Sequence, residues 1–253
     1  MTIAGCTPAA TLHDGNMPRP TRLIVAVLTA LFLAGCDISI SFGPPSDEDV
    51  GTPAPLPSGV LPPTEARFVL ESLTIAEAGP MDGYERSCAE GDACVFGPAW
   101  ADVDRNGCDT RNDILRRDLI GDVAREGTHG CVIEYGILYD PYTGQMVEFE
   151  RGPDSDEVQI DHVVALADAW RSGAASWPQE QRQWFANDPR NLRATIGEIN
   201  QEKGDSGPAE WRPPNEEYWC EYAATYVTVK FEYRLTVTPE DADALADMLA
   251  DCA

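Results

Sequence analysis

The 253-residue chain carries 43 Asp and Glu against 18 Lys and Arg, a formal charge of −25. A chain this acidic excludes unaided, nonspecific adhesion to nucleic acid, so a polyanion site has to be a local basic patch or employ a metal. Eight cysteines with no Cys-x-x-Cys pair count against a structural zinc ribbon.

At the N-terminus, Arg19 and Arg22 precede an apolar run, Leu23 to Leu33, that is too short to span a bilayer comfortably. It ends in Leu33-Ala34-Gly35-Cys36, and the whole describes a secretory signal, with Met17 as an alternative start. A Cys directly after Ala-Gly resembles a bacterial lipobox. That resemblance implies lipidation at Cys36 and a membrane lipoprotein facing outside the cytoplasm; an ordinary signal peptide or an uncleaved anchor helix are the rival readings. Removal of residues 1–35 takes away Arg19, Arg22 and Asp14 and leaves the chain one charge more negative. The segment 36–64 is rich in Pro, Gly, Ser and acids and poor in large apolar residues, and reads as a solvated tether. Residues 65–253 have the length of one domain. With Cys6 and Cys36 set aside, Cys88, Cys94, Cys108, Cys131, Cys220 and Cys252 remain, an even count that in an exported chain implies three disulfides. Nearness along the chain favours Cys88–Cys94, Cys108–Cys131 and Cys220–Cys252.

In chain order, Thr110 caps a predicted helix over 111–120, with Ile114, Leu115 and Leu119 on one face. Strands are predicted over 132–139 and 145–150, joined by a turn at Asp140-Pro141-Tyr142-Thr143-Gly144. A short buried strand follows over 158–164. Helices are predicted over 165–171 and 178–187, an extended stretch over 191–195, and a short helix over 197–203 stopped by Gly204. Helices over 216–231 and 239–251 close the chain, the second capped by Thr238 with Pro239 in its first turn. The class is α+β, with more helix than sheet.

Beyond the leader there are only two histidines, His129 and His162. No His-Glu-x-x-His, Gly-x-Ser-x-Gly or phosphate-cradling Gly-Lys-Ser/Thr loop is present, which excludes zincins and counts against the usual hydrolase elbow and P-loop chemistry. What is present is Ile160-Asp161-His162-Val163-Val164, then Asn191-Leu192, then Asn200-x-x-Lys203-Gly204-Asp205. This ordered set resembles the ββα-metal, or HNH, endonucleases. Gly107-Cys108-Asp109-Thr110-Arg111-Asn112-Asp113, Asp140-Pro141-Tyr142-Thr143-Gly144, Ala186-Asn187-Asp188-Pro189-Arg190-Asn191-Leu192 and Trp211-Arg212-Pro213-Pro214-Asn215 widen it. Together they are similar to secreted HNH-family proteins of high-GC bacteria, which share a domain with the C-terminal part of GmrSD-type modified-DNA restriction enzymes. The likeness covers most of 67–252.

The resemblance implies a small ββα-metal core embedded in a mostly helical, disulfide-bonded domain. It implies hydrolysis of phosphodiester bonds in DNA or RNA, with Mg²⁺ or another divalent cation as cofactor and nucleic acid as partner. Residue by residue it implies Asp161 and Asn200 as metal ligands, His162 as the base that deprotonates water, and Asn191 as a brace. Lys203 would approach a phosphate oxygen. The chemistry fits: His titrates near working pH, and two oxygen ligands plus water and phosphate suit Mg²⁺. On a strand, however, Asp161 and His162 point to opposite sides, and a bend at this position would let both serve one site. Each residue has a structural rival: a satisfied buried histidine for His162, a turn cap for Asn191, a helix surface position for Asn200, and a helix-end lysine for Lys203. The span between His162 and Asn191 is longer than in compact HNH motifs.

A second pattern, Asp102-x-Asp104-x-Asn106-Gly107 followed by Asp113, has the spacing of a Ca²⁺ loop, with Asp in place of the final Glu. An Asp-rich turn pinned by Cys108 is its rival. Arg111, with Arg116 and Arg117, forms a local basic cluster that reads either as phosphate-binding or as a solvated helix face. Two functions follow: a lipid-anchored metal-dependent nuclease, or a non-catalytic envelope lipoprotein that uses the same fold to bind a partner or calcium.

Overall fold

The computed structural model describes residues 57–252. The expected signal peptide, Cys36 and the expected tether up to residue 56 lie outside the described residues. The folded part begins before Glu65. Helix α1 is Pro63–Leu70, with Pro at its first position and Ala66 and Leu70 buried. Just ahead of it, the Leu61 amide donates to Thr228 Oγ1 at 3.0 Å. The last residues assigned to the tether therefore belong to the domain.

Helix α2, Thr110–Asp118, is capped by Asp109, whose carboxylate accepts from the Asn112 amide; Thr110 instead donates its hydroxyl to Ala101 O. The helix ends at Asp118, two residues short of expectation, because Leu119 turns extended and opens strand β1, Leu119–Ala124. β1 pairs antiparallel with β2, Ile133–Tyr139, and β2 with β3, Met146–Glu150, in a three-stranded sheet. The β2–β3 turn is Asp140 to Gly144, with Gly144 at φ 71° and its amide on Asp140 O. The Asp140 side chain accepts from Thr143, the Tyr142 amide and Thr195, tying this turn to a second sheet.

That second sheet is an antiparallel pair, β4 (Val158–His162) and β5 (Leu192–Ile196), in which Asp161 lies opposite Arg193 and His162 opposite Leu192. Helices α3 (Leu166–Arg171) and α4 (Gln179–Ala186) are inserted between the two strands. Helix α5, Gly197–Lys203, leaves β5 directly and packs on both strands. Helix α6, Trp219–Glu232, is preceded by a 3-10 turn at Glu216–Tyr218 and is buried along most of its length. Helix α7, Pro239–Leu249, carries the expected Thr238 cap.

Two cores result. One surrounds α6 and takes in α1, α7 and the aromatic residues Tyr142, Trp170, Phe185 and Tyr222. The other joins Ile114 and Leu115 of α2 to Phe149, Ile160 and Leu192 of the two sheets. The disulfides are Cys88–Cys94, Cys108–Cys131 and Cys220–Cys252, the pairing that nearness favoured. The overall class is mixed α and β with small sheets.

Candidate active site

The site is built at the end of β4, where the strand's last two residues are Asp161 and His162. Their side chains leave on different sides, as the pleat requires. The backbone beyond them is fixed by Asn191. Its carbonyl accepts from the Val163 amide at 2.8 Å, its Oδ1 accepts from the Val164 amide at 2.8 Å, and its Nδ2 donates to Val164 O at 3.1 Å. Asn191 is fully buried and clamps the two residues that follow His162.

His162 Nε2 lies 2.8 Å from Ala186 O. A carbonyl only accepts, so this nitrogen carries the hydrogen, and in the neutral ring Nδ1 holds the lone pair. Ala186 is the last residue of α4, so the insertion between the strands supplies the group that sets the tautomer. Burial pushes the His162 pKa down from 6.5 to about 4. Arg86 and Lys203 push the same way, while the Ala186 carbonyl and Asp161 oppose it. The Trp100 ring lies nearly parallel to the imidazole, 15° between planes with centroids 6.2 Å apart.

Asp161 is almost completely buried. Its Oδ1 accepts from Lys203 Nζ at 2.9 Å and its Oδ2 from the Tyr142 hydroxyl at 2.6 Å. Lys203 is fully buried and donates also to His162 O at 2.9 Å. Lys203 is the expected helix-end lysine, but it is turned inward as a strut that links the end of α5 to the end of β4. Asn200, half-buried on α5, donates its Nδ2 to Gln159 Oε1 at 2.9 Å, and its Oδ1 has no hydrogen-bond partner among the described residues.

These groups meet in a cleft of about 440 Å³ lined by Gln159, Asp161, His162, Asn200 and Asp205. A smaller cavity of about 120 Å³ lies on the other side of His162, lined by Phe96, Trp100, Ala186 and Asn187. Arg86 lines both. Sequence reading missed Arg86, Trp100 and Ala186: the first two belong to a loop with no motif, and the third acts through its backbone.

The other candidates lie elsewhere. In the Asp-rich loop, Asp102 accepts from the amides of Asn106 and Gly107, and the Asn106 amide group donates to Asp104 at 3.1 Å and Asp113 at 3.0 Å. Among the described residues, no group of three or more His, Cys, Asp or Glu is placed to hold a metal ion. Burial raises the Asp113 pKa. The Arg111 guanidinium donates to the carbonyls of Ser155 and Val158, and Arg117 to Asp118 and two carbonyls, so both tie α2 to its neighbours. His129 sits exposed in its loop at φ 54°.

With this geometry in view, a family model described as the C-terminal domain of GmrSD restriction endonucleases matches residues 109–248. The chain belongs to the GmrSD C-terminal-domain family. The matched GmrSD span holds Asp161, His162, Asn191, Asn200 and Lys203; Arg86 and Trp100 precede it. An uncharacterized secreted protein of Arthroderma benhamiae is 40% identical over 207 residues, which is 80% of this chain and 93% of that relative. No solved structure matches.

The buried imidazole gives a measurable expectation. In a His129→Gln protein lacking residues 1–35, and so lacking His13, the remaining His162 ring protons should titrate in NMR with a midpoint near 4, not near 6.5. The folded pKa is the lower one, so the unfolded chain takes up the proton first. The stability that comes with the neutral ring is therefore full above pH 6.5 and is lost as pH falls toward about 4. A midpoint at 6.5 or above would contradict the burial of this ring.

Proposed function

We propose that this chain is a metal-dependent endonuclease that hydrolyses phosphodiester bonds of DNA or RNA outside the cytoplasm. The observation that carries the reading is the His162 ring. Burial favours its neutral form, its Nε2 lies 2.8 Å from Ala186 O, and it lines one cleft with Asp161 and Asn200. Membership of a restriction-endonuclease family supports the same chemistry.

His162 takes the proton of an attacking water at Nδ1, a role that needs a neutral ring of fixed orientation. The Ala186 carbonyl and the Asn191 clamp hold that orientation. Asp161 and Asn200 are the residues that would hold a divalent cation such as Mg²⁺. The donor set fits. One carboxylate and one carboxamide are what Mg²⁺ takes while keeping most of its water. A carboxylate has about four acceptor sites, so Asp161 retains capacity beside its bonds to Lys203 and Tyr142. Bound there, the cation supplies neutralisation of charge on the phosphate and the leaving oxygen. Purified protein incubated with plasmid, single-stranded DNA and RNA tests the reading: cleavage should need Mg²⁺ and stop in EDTA. No cleavage with any divalent metal would sink it.

The extracytoplasmic location rests on the leader, on the three disulfides and on the relative named as secreted. The membrane anchor rests on Cys36 alone. Cys36→Ser should release the protein from the membrane fraction or block its maturation, because the acyl chains are lost. Unchanged membrane retention in that variant would refute the anchor.

A further inference from the structure

We propose that Arg86 is the phosphate-contacting residue of the cleft, and that the Cys88–Cys94 disulfide is the clip that presents it. This rests on the nuclease reading above but concerns a segment that lies outside the matched family span.

Arg86 borders the cleft that contains Asp161, His162 and Asn200, and also the cavity on the far side of His162. It is near enough to oppose protonation of that ring. Its side chain is exposed, and among the described residues it makes no hydrogen bond or salt bridge. The neighbouring cations are engaged. Arg171 pairs with Asp205, Arg190 with Asp188, Arg182 with the carbonyls of Val95 and Trp177, and Lys203 with Asp161. In a chain of charge −25, one free guanidinium beside the cleft is the local exception to a repulsive field. A guanidinium can fork onto two oxygens of one phosphate, which an ammonium cannot.

The backbone around Arg86 is held on both sides. The Val95 amide donates to Glu85 O at 3.0 Å and the Cys94 amide to Ser87 O at 3.1 Å, and the Cys88–Cys94 bond closes the loop beyond them. Tyr84 anchors the near end, edge-on to Trp170 and Phe96. Gln179 and Arg182 hold the returning side of the loop at Cys94 O and Val95 O, and without the disulfide the Arg86 side is joined to it by the two backbone bonds. Arg86 is thus a binding residue and the cysteine pair a positioning element.

The test is equilibrium binding of a short fluorescein-labelled DNA duplex to the His162→Ala protein in Mg²⁺, read by anisotropy over a range of salt. Arg86→Gln should weaken binding about tenfold or more, the size of one charge-assisted hydrogen bond, and should lower the salt slope by about one. Arg86→Lys should keep the slope and recover only part of the affinity. Cys88→Ser/Cys94→Ser should lose as much as Arg86→Gln, and adding Arg86→Gln to it should cost little more. Additive losses would overturn the clip. Binding and salt slope unchanged in Arg86→Gln would overturn the phosphate role, while plasmid cleavage by the wild type would leave the nuclease reading standing. Conversely, an Arg86-dependent complex in a protein that cleaves nothing would support Arg86 and sink the hydrolase. A parent protein that binds no duplex overturns the proposal for DNA.

Discussion

His162→Ala is expected to lower the cleavage rate about 10²–10⁴-fold, the contribution of a positioned general base, while leaving the Mg²⁺ dependence of the residual activity unchanged. The reason is the division of labour at the end of β4. The imidazole is held by Ala186 O and touches none of the hydrogen bonds of Asp161 or Asn200, so its removal leaves those oxygens as they were. Asn200→Ala should behave in the opposite way: it removes a ligand oxygen and should raise the Mg²⁺ concentration needed. Added imidazole should restore part of the His162→Ala rate, because a small base can enter the space left behind. Rates against Mg²⁺ for both variants, each checked for folding, decide the matter. Wild-type cleavage by His162→Ala would show that His162 is not the base.

The parts of this site that sequence made legible are those set by local rules. The β4 run reads as a short buried strand after the turn residues Gly152-Pro153-Asp154-Ser155, and α5 runs from Gly197 to Lys203 as expected because Gly204, at φ 58°, stops it. Asp161, His162 and Asn200 fall on one strand pair and its helix, with Asn191 in the 3-10 turn just ahead of β5. Strand β1 was illegible because Leu-Ile-Gly-Asp-Val-Ala has no alternation. Its strand character comes from pairing with β2, through an irregular register. Helix α1 was hidden by prolines that a Pro-rich tether would share, although Pro is at home in a first helical turn. The partner of His162 is a carbonyl, which no side-chain motif records, and Arg86 comes from a loop whose place over the cleft is fixed by long-range packing. The expected bend that would turn Asp161 toward His162 is not needed for both to line one cleft, since β4 runs in regular register to its end.

Lys203→Met is expected to destabilise the protein by about 3–5 kcal/mol, because it leaves a buried carboxylate without its countercharge. Lys203 and Asp161 have side-chain exposures of 0% and 4%, so solvent cannot replace the lost partner. The chain's other lysine provides a built-in control. Lys230 donates to Asp168 Oδ1 at 2.9 Å while the Tyr226 hydroxyl donates to Oδ2 at 2.7 Å, the same Lys–Asp–Tyr arrangement that Lys203 and Tyr142 make on Asp161. Asp168 and Lys230 do not line the cleft. Lys230→Met should therefore shift the urea midpoint by a similar amount yet leave the cleavage rate per folded molecule unchanged. Lys203→Met should change both, because Asp161 loses the donor that orients it. Replacing both partners, as Asp161→Leu/Lys203→Met, should recover much of the lost stability, since a buried ion pair is often matched by apolar residues of similar volume. Recovery should stop short by about 1–3 kcal/mol, because the buried Tyr142 hydroxyl is then without an acceptor. That double variant should be folded and inactive, separating what the pair does for the fold from what Asp161 does in the cleft. A Lys203→Met protein with wild-type stability would refute the ion pair, and a double variant that still cleaves at the wild-type rate would remove Asp161 from the site.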